Sequence, residues 1–167
     1  MTTSVPATAH RGALPAWLIV LLAGLLAGAL DLTFAVIFYG AQGVSPERIL
    51  RGIAAGLLGR EAAFAPGGCP VALGAFMHLF ISSCAAFVFY GIVRARPALL
   101  QRWQLAGAAF GVGVFLVMHF LVIPLSRLPF RLPSLYNTVG ELASHIFLFG
   151  LVIAAGVRLA LRPPAKA

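Results

Sequence analysis

Four long apolar runs constrain what this chain can fold into more than any other feature of its sequence. They extend from Ala16 to Tyr39, Pro70 to Ile92, Trp103 to Pro124 and Thr138 to Val157, and we call them spans 1 to 4. A hydrocarbon core of about 30 Å needs roughly 20 helical residues to cross it, and each run has about that length. Because lipid offers no partners to backbone polar groups, each span is expected to be a helix.

The composition supports a membrane location. Only 10% of the residues are charged, 61% are apolar, and the mean hydropathy is +1.00. A soluble domain carries about 25% charged residues, so a water-soluble globular protein is excluded, and such high hydrophobicity also excludes a disordered chain. Two cysteines are too few for a disulfide scaffold or a four-cysteine metal site. The sequence therefore predicts one all-α membrane domain over residues 1–167, an antiparallel four-helix transmembrane bundle.

Span 1 has some features of a signal peptide, since Arg11 precedes an apolar core. Its apolar run is longer than the roughly 7–15 residues of a signal-peptide core, so we expect it to be retained as a span.

The basic residues predict how the chain is oriented. Seven lie on the same side as the N-terminus and five on the other, and the short loop after span 2 is strongly basic. Short basic loops stay inside, so the N- and C-termini are predicted to be cytoplasmic. Arginines that flank apolar spans also bind anionic lipid headgroups, which explains the net charge of +8 without a nucleic-acid partner. The predicted partner is therefore the lipid bilayer.

The longest connection, between spans 1 and 2, contains a helical pattern over residues 46–59. Ser45 and Pro46 form a start signal, and Gly59 a stop signal. Apolar residues recur between them at helical spacing: Ile49, Leu50, Ile53, Leu57 and Leu58. This pattern predicts a short amphipathic helix on the outer membrane surface. A repeated Arg-Leu-Pro phrase over residues 127–133 predicts a stiff connector between spans 3 and 4, with a lid over a site as the alternative.

Five ionisable residues within the spans are the candidate functional residues: Asp31, His78, His119, Glu141 and His145. At 1.5 Å per residue, Asp31 and the three histidines fall at one level, about 8–12 Å below the outer boundary. Ionisable groups in lipid are costly and usually face the bundle interior. The sequence therefore predicts a polar cluster in the outer third of the bundle.

Two of these residues lie beside small residues that let helices approach closely. Gly24 and Gly28 form a G-x-x-x-G pair near the Asp31 face of span 1, which can serve either the fold or a dimer. His78 lies four residues from both Gly74 and Ser82.

Glu141 has two interpretations. It follows Thr138 at the spacing of a capping box, in which the carboxylate accepts from a free backbone N–H at the helix start. It also shares a helix face with His145, which favours the interpretation that Glu141 belongs to the polar cluster.

Three interpretations of the cluster remain open from the sequence. Interhelical hydrogen bonds would fix the bundle. His78, His119 and His145, with Asp31, could ligate a metal ion, or paired histidines could ligate a haem iron. Aspartate and histidine side chains also line proton routes in membrane proteins. The chain has none of the H-E-x-x-H, P-loop or G-x-S-x-G motifs, so nothing in it argues for an enzyme.

The second half of the chain resembles the YagU family, small bacterial inner-membrane proteins of uncharacterised function. The resemblance covers about residues 77–162 and rests on Met77-His78-Leu79-Phe80-Ile81-Ser82, Trp103-Gln104, Met118-His119-Phe120, Ile123-Pro124-Leu125, Leu135-Tyr136-Asn137, Glu141 and His145-Ile146-Phe147. It implies a four-span protein of the bacterial inner membrane and brings no established catalytic or ligand residues.

Together these patterns predict a multi-pass membrane protein that senses or passes protons or a metal ion through the polar cluster. The alternatives are a metal- or haem-dependent redox enzyme and a purely structural membrane subunit. The sequence predicts no specific cofactor. It leaves open whether a second copy of the chain or another membrane protein is a partner.

Overall fold

The computed structural model describes residues 14–128 and 134–162, and the regular structure within them is entirely helical. Four helices are long and apolar enough to cross a membrane: Ala16–Gly40, Cys69–Ala95, Pro97–Leu125 and Leu135–Ala160. They confirm spans 1 to 4 and the predicted all-α fold. Span 3 begins earlier than predicted because a 3₁₀ segment, Pro97–Arg102, leads into its α-helix.

The predicted amphipathic helix is present as Pro46–Leu58, which we call the connecting helix. The Ser45 side chain accepts from the Arg48 backbone N–H at 3.3 Å, and Gly59 ends the helix at a φ of +83°. That φ lies in the left-handed region, which glycine adopts without strain. A short helix, Arg60–Phe64, follows. The connecting helix packs on span 2 at Gly74, where a Cβ atom would overlap the carbonyl oxygen of Leu50.

The spans pack in the order 2–1–4–3. Span 1 contacts spans 2 and 4, and span 3 contacts span 4. The buried core at these contacts is made of Val20, Ala27, Ala86, Phe89, Val93, Phe149, Ile153, Ala154 and Val157. Its large residues concentrate toward the end of the bundle that carries the basic loop.

The G-x-x-x-G pair of span 1 serves the fold. A Cβ atom at Gly24 would lie 2.7 Å from Cα of Ser83, and one at Gly28 would lie 2.6 Å from Oγ of Ser82. Span 2 therefore occupies this face, and the alternative that it is open to a second copy is wrong.

Spans 2 and 3 touch near one end and separate at the other. The rings of Phe89 and Phe110 are 4.8 Å apart near the basic loop. Toward the other end the two spans line opposite sides of a cavity that the connecting helix borders. The backbone N–H of Arg127 donates to the carbonyl of Gly56 at 3.0 Å and ties the end of span 3 to the connecting helix. Most of the predicted Arg-Leu-Pro connector, residues 129–133, lies outside the described residues.

Arg51 holds the loop that follows the connecting helix. Its guanidinium donates to the backbone carbonyls of Ala63, Ala65 and Gly67 at 2.8, 2.9 and 2.6 Å. Its Nε also donates to the Glu47 carboxylate at 2.9 Å. Four hydrogen bonds from one planar cation fix the path of this loop.

Replacing Arg51 by alanine is expected to speed amide hydrogen exchange of residues 60–68 by about tenfold or more, because each charged hydrogen bond contributes about 1.5–3 kcal/mol. Exchange read by mass spectrometry checks this. Arg48→Ala is the matched control, since the Arg48 residue is exposed. Equal exchange in both variants would show that Arg51 does not hold the loop.

Candidate functional site

Four of the five predicted polar residues line the cavity between spans 2 and 3, whose volume is about 600 Å³, and His119 is not among its lining residues. Asp31, His78, Glu141 and His145 line it, together with Tyr39. The rest of the wall is mainly apolar: Ile49, Ile53, Leu57, Met77, Ile81, Val114, Met118, Val122, Ile123, Leu128 and Phe149. A cavity of this size with a few convergent polar groups is typical of small-molecule sites.

Asp31 joins three spans. It is 8% exposed, and its Oδ1 accepts a hydrogen bond from Oγ of Ser144 at 2.5 Å. His78 Nε2 lies 3.6 Å from Oδ2, and His145 Nδ1 lies 3.9 Å from Oδ1. One carboxylate of span 1 thus meets side chains of spans 2 and 4.

Glu141 joins a different set of three spans. Its Oε1 accepts from the hydroxyl of Tyr39 in span 1, and its Oε2 lies 2.9 Å from Nε2 of His119 in span 3. The capping-box alternative for Glu141 is wrong. Span 4 begins earlier than predicted, and its cap is Ser134, whose side chain accepts from the backbone N–H of Asn137 at 3.2 Å.

Each of the three histidines within the spans has one ring nitrogen against a backbone carbonyl. His78 Nε2 lies 3.0 Å from Gly28 O, and His119 Nδ1 lies 3.0 Å from Phe115 O. His145 Nδ1 lies 2.8 Å from Glu141 O. A carbonyl oxygen only accepts, so in each ring this nitrogen carries a hydrogen. In a neutral imidazole the other nitrogen is then an acceptor.

Two histidines lie in π-helical turns. The turn Met118–Val122 contains His119, and the turn His145–Gly150 begins at His145. Such turns are rare and occur frequently at functional sites. The ring of Phe115 lies against both imidazoles, with centroids 4.1 Å from His119 and 5.6 Å from His145.

The five predicted residues thus form two linked groups. Asp31, His78 and His145 make one, and Glu141 with His119 makes the other. They are linked through His145, which donates to the Glu141 carbonyl and faces Asp31.

The sequence prediction missed Ser144 and Tyr39. Ser144 lies three residues after Glu141 on the same helix face, which is a usable signal. Tyr39 ends a span, where an aromatic residue is typical of an interfacial anchor.

The same residues were predicted as candidate metal or haem ligands. Within residues 14–128 and 134–162, no three His, Cys, Asp or Glu side chains are arranged to hold one metal ion. The metal role of His78, His119, His145 and Asp31 therefore stays a prediction. Elemental mass spectrometry of the purified protein, beside a variant with the three histidines changed to alanine, would test it.

Comparisons with protein-family models, curated proteins and solved structures find no significant match for this chain. The resemblance to the YagU family, and with it the bacterial inner membrane, stays a prediction, as does the orientation of the termini. The structure describes a protein with four helices able to cross a membrane and a buried aspartate that faces two histidines at a cavity.

Proposed function

We propose that this protein binds and exchanges protons within the membrane at its carboxylate–imidazole cluster. One observation carries the proposal: Nε2 of His119 lies 2.9 Å from Oε2 of Glu141, while Nδ1 of His119 donates to Phe115 O. This pair is the site that binds the proton, and the cavity beside Glu141 is the space into which the proton is released.

The hydrogen-bond inventory of the pair requires a proton between its two members. With its hydrogen on Nδ1, a neutral His119 would turn a lone pair toward an ionised carboxylate, and two acceptors repel at this distance. The contact is favourable when His119 is an imidazolium or when Glu141 is a carboxylic acid. In either form the pair holds one proton, and the Tyr39 hydroxyl donates to the other oxygen of Glu141.

The surroundings favour exchange of that proton. Imidazole titrates between about pH 5 and 8, so a histidine suits proton transfer near neutrality. His145 stands between the Glu141 carbonyl and Asp31, which gives a second carboxylate within the same cluster. The cavity volume of about 600 Å³ accommodates several waters, each of which occupies about 30 Å³ in the liquid.

Nitrogen-15 NMR of histidine-labelled protein in lipid nanodiscs tests the proposal. We expect the His119–Glu141 pair to hold one proton near neutral pH and the His119 Nε2 signal to change between about pH 5 and 8. Glu141→Gln is expected to convert His119 to a neutral ring with its hydrogen on Nδ1, because the glutamine amide can donate to Nε2. His78→Gln serves as the control, since His78 contacts Gly28 and Asp31 and neither member of the pair.

An Nε2 signal that is independent of pH throughout this range would contradict proton exchange and leave hydrogen bonding between helices as the role of the pair. Proteoliposomes that carry an internal pH-sensitive dye distinguish passage from sensing. Proton entry that Glu141→Gln abolishes indicates passage. If no protons enter while the NMR signal of His119 still changes with pH, the result indicates sensing.

A further inference from the structure

We propose that the cavity binds a lipophilic amine, meaning an apolar molecule with one protonated amino group, and that Asp31 holds its charged end. This proposal goes beyond proton exchange because it uses Asp31, His78 and His145, whereas the shared proton lies on His119 and Glu141. The two proposals can therefore fail separately.

The polar atoms free to meet a ligand near Asp31 are hydrogen-bond acceptors. Oδ2 of Asp31 lies 3.6 Å from its nearest histidine nitrogen, beyond hydrogen-bonding distance. His78 and His145 each donate through one ring nitrogen to a backbone carbonyl, so in the neutral rings Nδ1 of His78 and Nε2 of His145 are acceptors. Among the described residues, neither of these nitrogens has a hydrogen-bond partner.

The charge of the cavity favours a cationic ligand. When Asp31 is ionised and His78 and His145 are neutral, these three residues together carry one negative charge. The Glu141–His119 pair is neutral overall under the proposed function, because it shares a proton. Among the described residues, no lysine or arginine lines the cavity. A buried charge without a counter-charge is costly, so a cationic ligand is favoured over a neutral or anionic one. An ammonium group also supplies three donors for the acceptors around Asp31.

The rest of the wall suits an apolar body. Phe149 and Tyr39 offer aromatic rings, which attract cations through their faces, and Met77 and Met118 offer adaptable, polarisable side chains. The volume of about 600 Å³ falls in the range of roughly 300–1,000 Å³ that is usual for drug-sized ligands. A compact hydrocarbon with one ammonium group matches both the shape and the charge of this space.

Three probes with one hydrocarbon body test the proposal: adamantan-1-amine, adamantan-1-ol and adamantane-1-carboxylate. Binding to the full-length protein in zwitterionic nanodiscs is measured by calorimetry, with empty nanodiscs subtracted to remove partition into lipid. We expect the amine to bind about tenfold or more tightly than the alcohol, because an ionised hydrogen bond replaces a neutral one. The carboxylate is expected not to bind.

Two variants locate the site. Asp31→Asn keeps an acceptor for Ser144 and is expected to weaken amine binding about tenfold while leaving alcohol binding nearly unchanged. Gly52→Leu narrows the cavity, because Gly52 lines it and a Cβ atom at this position meets no atom within 4 Å. It is expected to weaken binding of both probes. Gly91→Leu is its matched control, since that position also has no atom within 4 Å and lies outside the cavity.

Equal affinities for the amine and the alcohol, preference for the carboxylate, or unchanged amine binding in Gly52→Leu would each overturn the proposal. His119→Gln separates it from proton exchange, because His119 is not among the residues that line the cavity. That variant is expected to lose the imidazole that shares the proton and to weaken amine binding by no more than about threefold, because Asp31, His78 and His145 are unchanged.

Discussion

Gly111→Val is expected to lower the free energy of unfolding by about 3 kcal/mol or more, enough to prevent folding of a marginally stable protein. Spans 3 and 4 are in backbone contact at this position. A Cβ atom at Gly111 would overlap the carbonyl oxygen of His145 and lie 2.8 Å from its carbonyl carbon. Backbone atoms cannot move aside as a flexible side chain can, so the two helices must separate. The same crossing brings a Cβ atom at Gly150 into overlap with the carbonyl oxygen of Gly107.

Gly113→Val is the matched control, because it makes the same change in the same helix where a Cβ atom meets nothing within 4 Å. It is expected to cost less than about 1 kcal/mol, the difference in helix propensity being small. Thermal unfolding followed by tryptophan fluorescence compares the two variants, since Trp103 begins the α-helical part of span 3. Similar midpoints would contradict the close crossing of spans 3 and 4.

Asp31→Ala is expected to lower the free energy of unfolding by about 2 kcal/mol. The substitution leaves the hydroxyl of Ser144 buried without its acceptor and removes the carboxylate that faces spans 2 and 4. Asp31→Asn should cost less, about 1 kcal/mol, because its amide oxygen can still accept from Ser144. Chemical unfolding in detergent micelles measures both values.

A double-mutant cycle with Ser144→Ala checks that the cost arises from this hydrogen bond. Because the two residues are in contact, the double variant should be less destabilised than the sum of the single variants, by about 0.5–1.7 kcal/mol. Full additivity would mean that the Ser144–Asp31 hydrogen bond does not contribute to stability.

The spans and the connecting helix could be predicted because their causes are local. Hydrocarbon thickness sets the length of a span, and a cap such as Ser45 or a stop such as Gly59 acts on neighbouring residues. The start of span 4 was harder to predict from the sequence. Thr138 and Glu141 match a capping box, yet the helix begins at Leu135, and its cap is Ser134.

The proximity of these ionisable residues could also be predicted, since ionisable residues in lipid are few and must turn inward. Counting along each span placed Asp31 and the three histidines at one level, and all three imidazoles meet a carboxylate in the structure. The pairing could not be predicted. That His119 contacts Glu141 while His78 and His145 face Asp31 depends on which spans are neighbours.

Chain length, hydropathy and the spacing of a few polar residues thus account for the four helices and the candidate residues, because these properties act within one helix. The order of spans 2–1–4–3, the cavity between spans 2 and 3, and the partners Tyr39 and Ser144 depend on how the helices pack. In lipid no difference in hydrophobicity selects one packing over another, so close glycine contacts and hydrogen bonds between distant residues make that selection.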